Sequence, residues 1–108
     1  MGPKDQRVEA VIAIMAQFMG DRLSVGALSR AVNLSPTRLR QLFNAETGRS
    51  PMLYLRELRM QRAQHLLAST FLSVKEIAFV SGINDVSTFV RTFKRRYGVT
   101  PSEFRGRK

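Results

Sequence analysis

Two stretches of this chain, "QLFNAETGRSPMLYL" and "RTFKRRYGVTPSEFR", carry like residues at one offset. Phe43 matches Phe93, Gly48 matches Gly98, Pro51 matches Pro101, and Tyr54 matches Phe104 as a second aromatic. Four matches at a common spacing of fifty residues point to a duplicated unit. A chain of 108 residues therefore folds either as one modest domain or as two small units on a shared scaffold. What the unit does depends on the positions at which the copies differ.

Helix signals recur along the chain, and no period-two alternation or Asn-Gly hairpin turn marks a strand. Val8, Val11, Ile12, Met15, Phe18 and Met19 follow steps of three and four, so an opening helix is expected to bury all six. Ser24 caps a short helix through about Val32. Ser35 and Pro36 then supply an N-cap and a first-turn proline, where the missing N–H is harmless. Gly48 ends that third helix, because glycine takes the left-handed closing conformation most readily. A fourth helix starts at Ser50-Pro51, is carried by Leu53, Leu55, Leu58, Met60, Ala63, Leu66 and Leu67, and meets no breaker before Ser69. "SVKE" (Ser73 to Glu76) and "TPSE" (Thr100 to Glu103) have the form of capping boxes. Gly82 closes the helix between them, and Asp85 caps the next, which runs to Gly98.

The expected fold is thus all-α, with about seven helices. Two helix-turn-helix subdomains are joined by a long connecting helix, with boundaries near 1–50, 51–69 and 70–108. In the first pair, Asn33-Leu34-Ser35 forms a turn of about three residues between a short and a longer helix, which is helix-turn-helix spacing. The turn calls for a residue tolerant of positive φ, and Asn33 or Gly82 supplies it. The second turn, "GIND", is one residue longer.

Function follows from the faces. Leu39, Leu42 and Phe43 lie together and pack inward, which turns Thr37, Arg40, Gln41 and Asn44 outward at 100° per residue. In the second copy Phe89 and Phe93 point inward, while Ser87, Val90, Arg91 and Lys94 point outward. Arg91 suits the paired acceptors of a guanine, and Gln41 suits an adenine. The Thr37 methyl or Val90 suits a thymine methyl. Arg38, Arg49, Arg95 and Arg96 read as phosphate contacts or solvated charge. Polar residues on one exposed helix face are ordinarily only hydrated. Here the duplication, the turn spacing and a net charge of +10 argue together for double-stranded DNA as the partner. Like frames with unlike faces imply an asymmetric site.

Other classes fare worse. His65 is the single histidine, the chain has no cysteine, and Asp21, Glu46, Glu57 and Asp85 are scattered. No catalytic constellation, metal site or cofactor is expected. "GDRLSVG" lacks the ending of a phosphate loop. The longest apolar run, "VIAIMAQFM", is far short of the ~20 residues that span a bilayer. No secretory leader is evident in "MGPKDQ", and a cytoplasmic location is expected. Two alternatives remain open, a sequence-indifferent nucleic-acid module and a protein-interaction module whose charge serves solubility.

The stretches "LSPTRLRQLFNAETGRSPMLYL", "LRMQRAQHLL" and "IAFVSGINDVSTFVRTFKRRYGVTPSEFR" resemble the DNA-binding domain of the AraC family of bacterial transcription regulators. The likeness covers about residues 7 to 105. Gly82, Asp85, Phe89, Arg91, Phe93, Lys94, Gly98, Pro101 and Arg105 are its most specific residues. Ile83 stands where the family usually has phenylalanine. The resemblance implies two recognition helices entering successive major grooves on one DNA face, with RNA polymerase as downstream partner and no small-molecule ligand within this chain. It assigns base reading to Thr37, Arg40 and Gln41, and to Val86, Ser87, Val90 and Arg91. Of these, Val86 lies off the outward face. Most members carry a further domain ahead of this one, so the resemblance implies either a stand-alone regulator or, by analogy with most members, an excised C-terminal piece of a longer one.

Overall fold

Almost every helix starts where a short polar side chain can take up free backbone N–H groups. A computed structural model describes residues 5–106 and places seven α-helices there, with no strand among the described residues. They are α1 (Gln6–Gln17), α2 (Val25–Ala31), α3 (Pro36–Thr47), α4 (Pro51–Ser69), α5 (Val74–Val80), α6 (Val86–Tyr97) and α7 (Pro101–Gly106). The Ser24 and Ser35 hydroxyls accept from the N–H groups of Ala27 and Arg38, at 3.0 and 3.1 Å. Ser73 and Glu76 form a reciprocal capping box, and Thr100 and Glu103 form another. Asp5, which the sequence pattern did not single out, caps α1 by accepting from Arg7 and Val8.

The duplication extends to backbone geometry. Gly48 and Gly98 close α3 and α6 at φ values of 77° and 82°, each with an N–H···O bond of 2.8 Å to the preceding turn. Asn33 (φ 59°) and Gly82 (φ 82°) occupy the two interhelical turns. In each turn the following amide reaches back five residues: Leu34 to Ser29 O at 2.9 Å, and Ile83 to Ala78 O at 2.8 Å. The copies therefore stay in register through Ile83. The extra residue of the second turn is Asn84, inserted just before the Asp85 cap.

The chain divides into two compact units, the first closing at Leu58 and the second opening at Arg59, inside α4. Val8, Val11, Met15, Leu28, Leu39, Phe43 and Leu55 form the buried core of the first unit. Met60, Ala63, Leu67, Ile77, Ala78, Phe89 and Phe93 form that of the second. In both, the recognition-type helix is locked to the closing helix by one edge-to-face aromatic pair. Phe43 meets Tyr54 at 5.3 Å between centroids, and Phe93 meets Phe104 at 5.7 Å. Such a pair adds about 0.5–1.5 kcal/mol beyond the area it buries.

Helix α4 has two jobs, and this explains where the units divide. Its first turns carry Pro51, Tyr54 and Leu55, and they close the first unit as α7 closes the second. Its later turns carry Met60, Ala63 and Leu67 at steps of three and four. That is the spacing of Val8, Val11 and Met15 in α1, so the second half of α4 opens the second unit as α1 opens the first.

Ile12, expected buried, is half-buried, and two apolar residues depart further from expectation. Phe18 is 44% exposed, because α1 ends at Gln17 and Phe18 already has a non-helical φ of −113°. Leu53 is 42% exposed, since it lies two residues from the buried Leu55 and a helix turns about 200° over that step.

Candidate nucleic-acid interface

The inward residues of α3 decide what its outer face presents. Leu39 and Phe43 are fully buried and Leu42 is half-buried against the first core. Thr37, Arg38, Arg40, Gln41 and Asn44 are all exposed as a result. On α6, Phe89 and Phe93 are fully buried, and Ser87, Arg91, Lys94 and Arg95 are exposed. Val90 is half-buried rather than fully outward. Val86 packs against the second core. These placements bring a set of polar and basic groups onto each helix face, with Val86 and Val90 half-buried and Val86 packed against the second core.

The two faces differ in charge. The last turn of α6 holds Lys94, Arg95 and Arg96, which suit the negative end of the helix dipole, whereas that of α3 has no basic residue. Arg96 rests its guanidinium over the Tyr97 ring, 5.3 Å from the centroid. Tyr97 in turn packs on Phe93, with ring centroids 4.6 Å apart. Arg96 is thus tied partly to the surface of its own unit.

The amino end of α6 carries a small polar network. Asp85 accepts from the Ser87 N–H at 3.1 Å and from the Thr88 hydroxyl at 2.8 Å. Arg91 Nη2 lies 3.5 Å from the same Thr88 hydroxyl, at the outer limit of a hydrogen bond. The Thr88 hydroxyl, with help from the Ser87 amide and the charge of Arg91, holds the Asp85 carboxyl below its ordinary range. Thr88 escaped the sequence reading, although a hydroxyl three residues past an aspartate cap was a visible signal. Arg105 also gains a clear role. Its guanidinium donates to Leu67 O at 3.3 Å and Thr70 O at 3.4 Å, satisfying carbonyls at the end of α4.

His65 is exposed, and among the described residues no three metal-ligating side chains come together. No helix among them is long and apolar enough to cross a membrane.

Comparison with known proteins gives the same outline. Residues 28–107 match a family model described as a helix-turn-helix domain. The Msm operon regulatory protein of Streptococcus mutans is 35% identical over 98 residues, covering 91% of this chain and 35% of that protein. The chain thus spans about a third of the length of that relative. Among solved structures, the C-terminal domain of the two-component response regulator yesN from Fusobacterium nucleatum superposes with a TM-score of 0.87 at 31% identity, covering 94% of this chain and 99% of that one. A Chromobacterium violaceum transcriptional regulator, described as AraC-type DNA-binding-domain-containing, gives 0.87 at 28% identity, covering 94% of this chain and 90% of that one.

Proposed function

Because this chain belongs to the AraC-type helix-turn-helix family of bacterial transcription regulators, we propose that it binds double-stranded DNA sequence-specifically, using α3 and α6 as recognition helices. One observation carries the reading: the two units agree at inward, capping and turn positions and differ on the faces they expose. Thr37, Arg40, Gln41 and Asn44 stand on one face, and Ser87, Val90, Arg91 and Lys94 on the other. Structural need accounts for the agreement, because the cores must pack alike. It does not account for the difference, which suits the reading of two unlike stretches of one duplex.

In this reading Arg91 pairs with a guanine, Gln41 with an adenine, and Val90 or the Thr37 methyl touches a thymine methyl. Arg38, Arg49, Arg95 and Arg96 neutralise phosphates and set the register. Val86, packed against the core, contributes chiefly by shaping the start of α6. The site is nonpalindromic and about 20 base pairs long, and each recognition helix enters a major groove of its own. RNA polymerase is the partner through which such binding alters transcription, and a cytoplasmic location goes with it.

Selection from a random DNA pool at two salt concentrations tests the proposal. The expected result is one asymmetric consensus recovered at both, while affinity falls steeply with salt. Recovery of no consensus, with unrelated DNA competing equally, supports the sequence-indifferent reading that the +10 charge alone would favour. Arg91→Ala should cost about 1–3 kcal/mol and relax preference at a single position. Equal weakening on every sequence would remove Arg91 from the base-reading set. Transcription reconstituted with purified RNA polymerase on a promoter bearing the consensus should change when the protein is added.

A further inference from the structure

We propose that Thr88 is a positioning residue for base recognition: held by Asp85, its hydroxyl orients the Arg91 guanidinium toward the amino end of α6. This rests on the reading of α6 as a recognition helix.

The polarity of the network supports it. A threonine hydroxyl has one proton to donate and lone pairs to accept with. Its 2.8 Å contact to Asp85 commits the proton to the carboxylate, so the lone pairs remain for Arg91 Nη2 at 3.5 Å. Asp85 is itself fixed as the cap of α6 through the Ser87 amide at 3.1 Å. The chain of contacts therefore runs from a backbone anchor, through a side chain stiffened by β-branching, to a long, flexible side chain on the face.

Direction matters as much as contact. Helical side chains lean toward the amino terminus, and residues three apart are neighbours on the surface. Arg91 is thus drawn to the end of the helix whose residues meet base edges when such a helix enters the major groove. Only one guanidinium nitrogen is engaged, which leaves N–H groups for a forked contact to guanine. An arginine already held in this direction loses less freedom on binding than one sampling many rotamers. The first unit has no such device. Fifty residues earlier the corresponding side chains are Ser35, Arg38 and Gln41, and there the Ser35 hydroxyl accepts from the Arg38 backbone N–H.

Thr88→Val keeps shape and branching while removing the hydroxyl, and Thr88→Ser keeps the hydroxyl. Both are measured beside Arg91→Ala and the Thr88→Val/Arg91→Ala double variant, on the selected site and on sites altered one base pair at a time. Arg91→Ala identifies the base pair that depends on Arg91. At that pair Thr88→Val should lower discrimination by about three- to ten-fold, as expected for a single hydrogen bond. Thr88→Ser should stay within about twofold of the original protein, and Thr88→Val should add nothing once Arg91 is gone. Asp85→Asn, which keeps a capping oxygen, should weaken the same base pair by releasing the Thr88 proton. Thr88→Val that keeps full discrimination where Arg91→Ala loses it overturns the positioning role and leaves α6 as the reading helix. Uniform weakening on all sequences also overturns it and marks Thr88 as a general contact. If Arg91→Ala alters no preference at any base pair, the Arg91 assignment and this inference both fail.

Discussion

Ser81 ends α5 with its side chain fully buried, and its hydroxyl has no hydrogen-bond partner among the described residues. A buried donor without a partner carries a desolvation cost of about 1–3 kcal/mol. Ser81→Ala removes that hydroxyl with little loss of volume, so the thermal midpoint should rise by a few degrees; a lower midpoint would mean that the hydroxyl is satisfied in solution. Other residues had roles that were legible in advance. Asn33 and Gly82 announce positive φ because few residue types tolerate it, and both turns have it. Phe18 was not legible. Periodicity says where a side chain would point if the helix continued, and the helix stops one residue earlier. Thr88 and Arg105 were visible as residue types, but their contacts depend on rotamers and on chain brought close by folding. Arg105 reaches carbonyls more than thirty positions away.

The starts of α5 and α6 depend on individual carboxylates, and this makes those elements sensitive to acid. Backbone and hydroxyl hydrogen bonds from Ser73 hold the Glu76 carboxyl below its ordinary range, and those from Thr88 and Ser87 do the same for Asp85. A carboxyl whose folded-state pKa is depressed stabilises the fold fully above its ordinary value. That contribution is lost as pH falls through the depressed value. The melting temperature of the protein should therefore decline below the usual carboxylate range. In Glu76→Gln, which retains the capping-box pattern without a titrating group, the decline should be shallower. An unchanged pH profile in that variant would show that Glu76 does not contribute through its charge. Both groups are well exposed, so the difference is expected to be small. The caps of α2, α3, α5 and α6 could be read directly because a cap is a contact within three residues. The division between units inside α4 could not, since its helical pattern runs unbroken across Leu58 and Arg59.

At the scale of the molecule, one plan is used twice: an opening helix, a helix-turn-helix pair and a closing helix. Helix α4 closes the first and opens the second. Its continuity should matter to both stability and binding. Proline at Gln61, an exposed position in α4, removes an amide hydrogen bond and crowds the carbonyl of Glu57, at a cost of about 3 kcal/mol or more. Gln61→Pro should lower the melting temperature and shrink the DNase footprint toward one half of the site. An unchanged footprint would contradict the need for an unbroken α4. Local sequence was sufficient for the helix order, the caps of every helix but α1, the turn geometry and most of the faces. Each of these arises from interactions within a few residues and from the 3.6-residue period. Packing alone settled which half of α4 serves which core and how far Val86 and Val90 are covered. Those outcomes depend on side chains from separate elements competing for the same space, and no local pattern records the result of that competition.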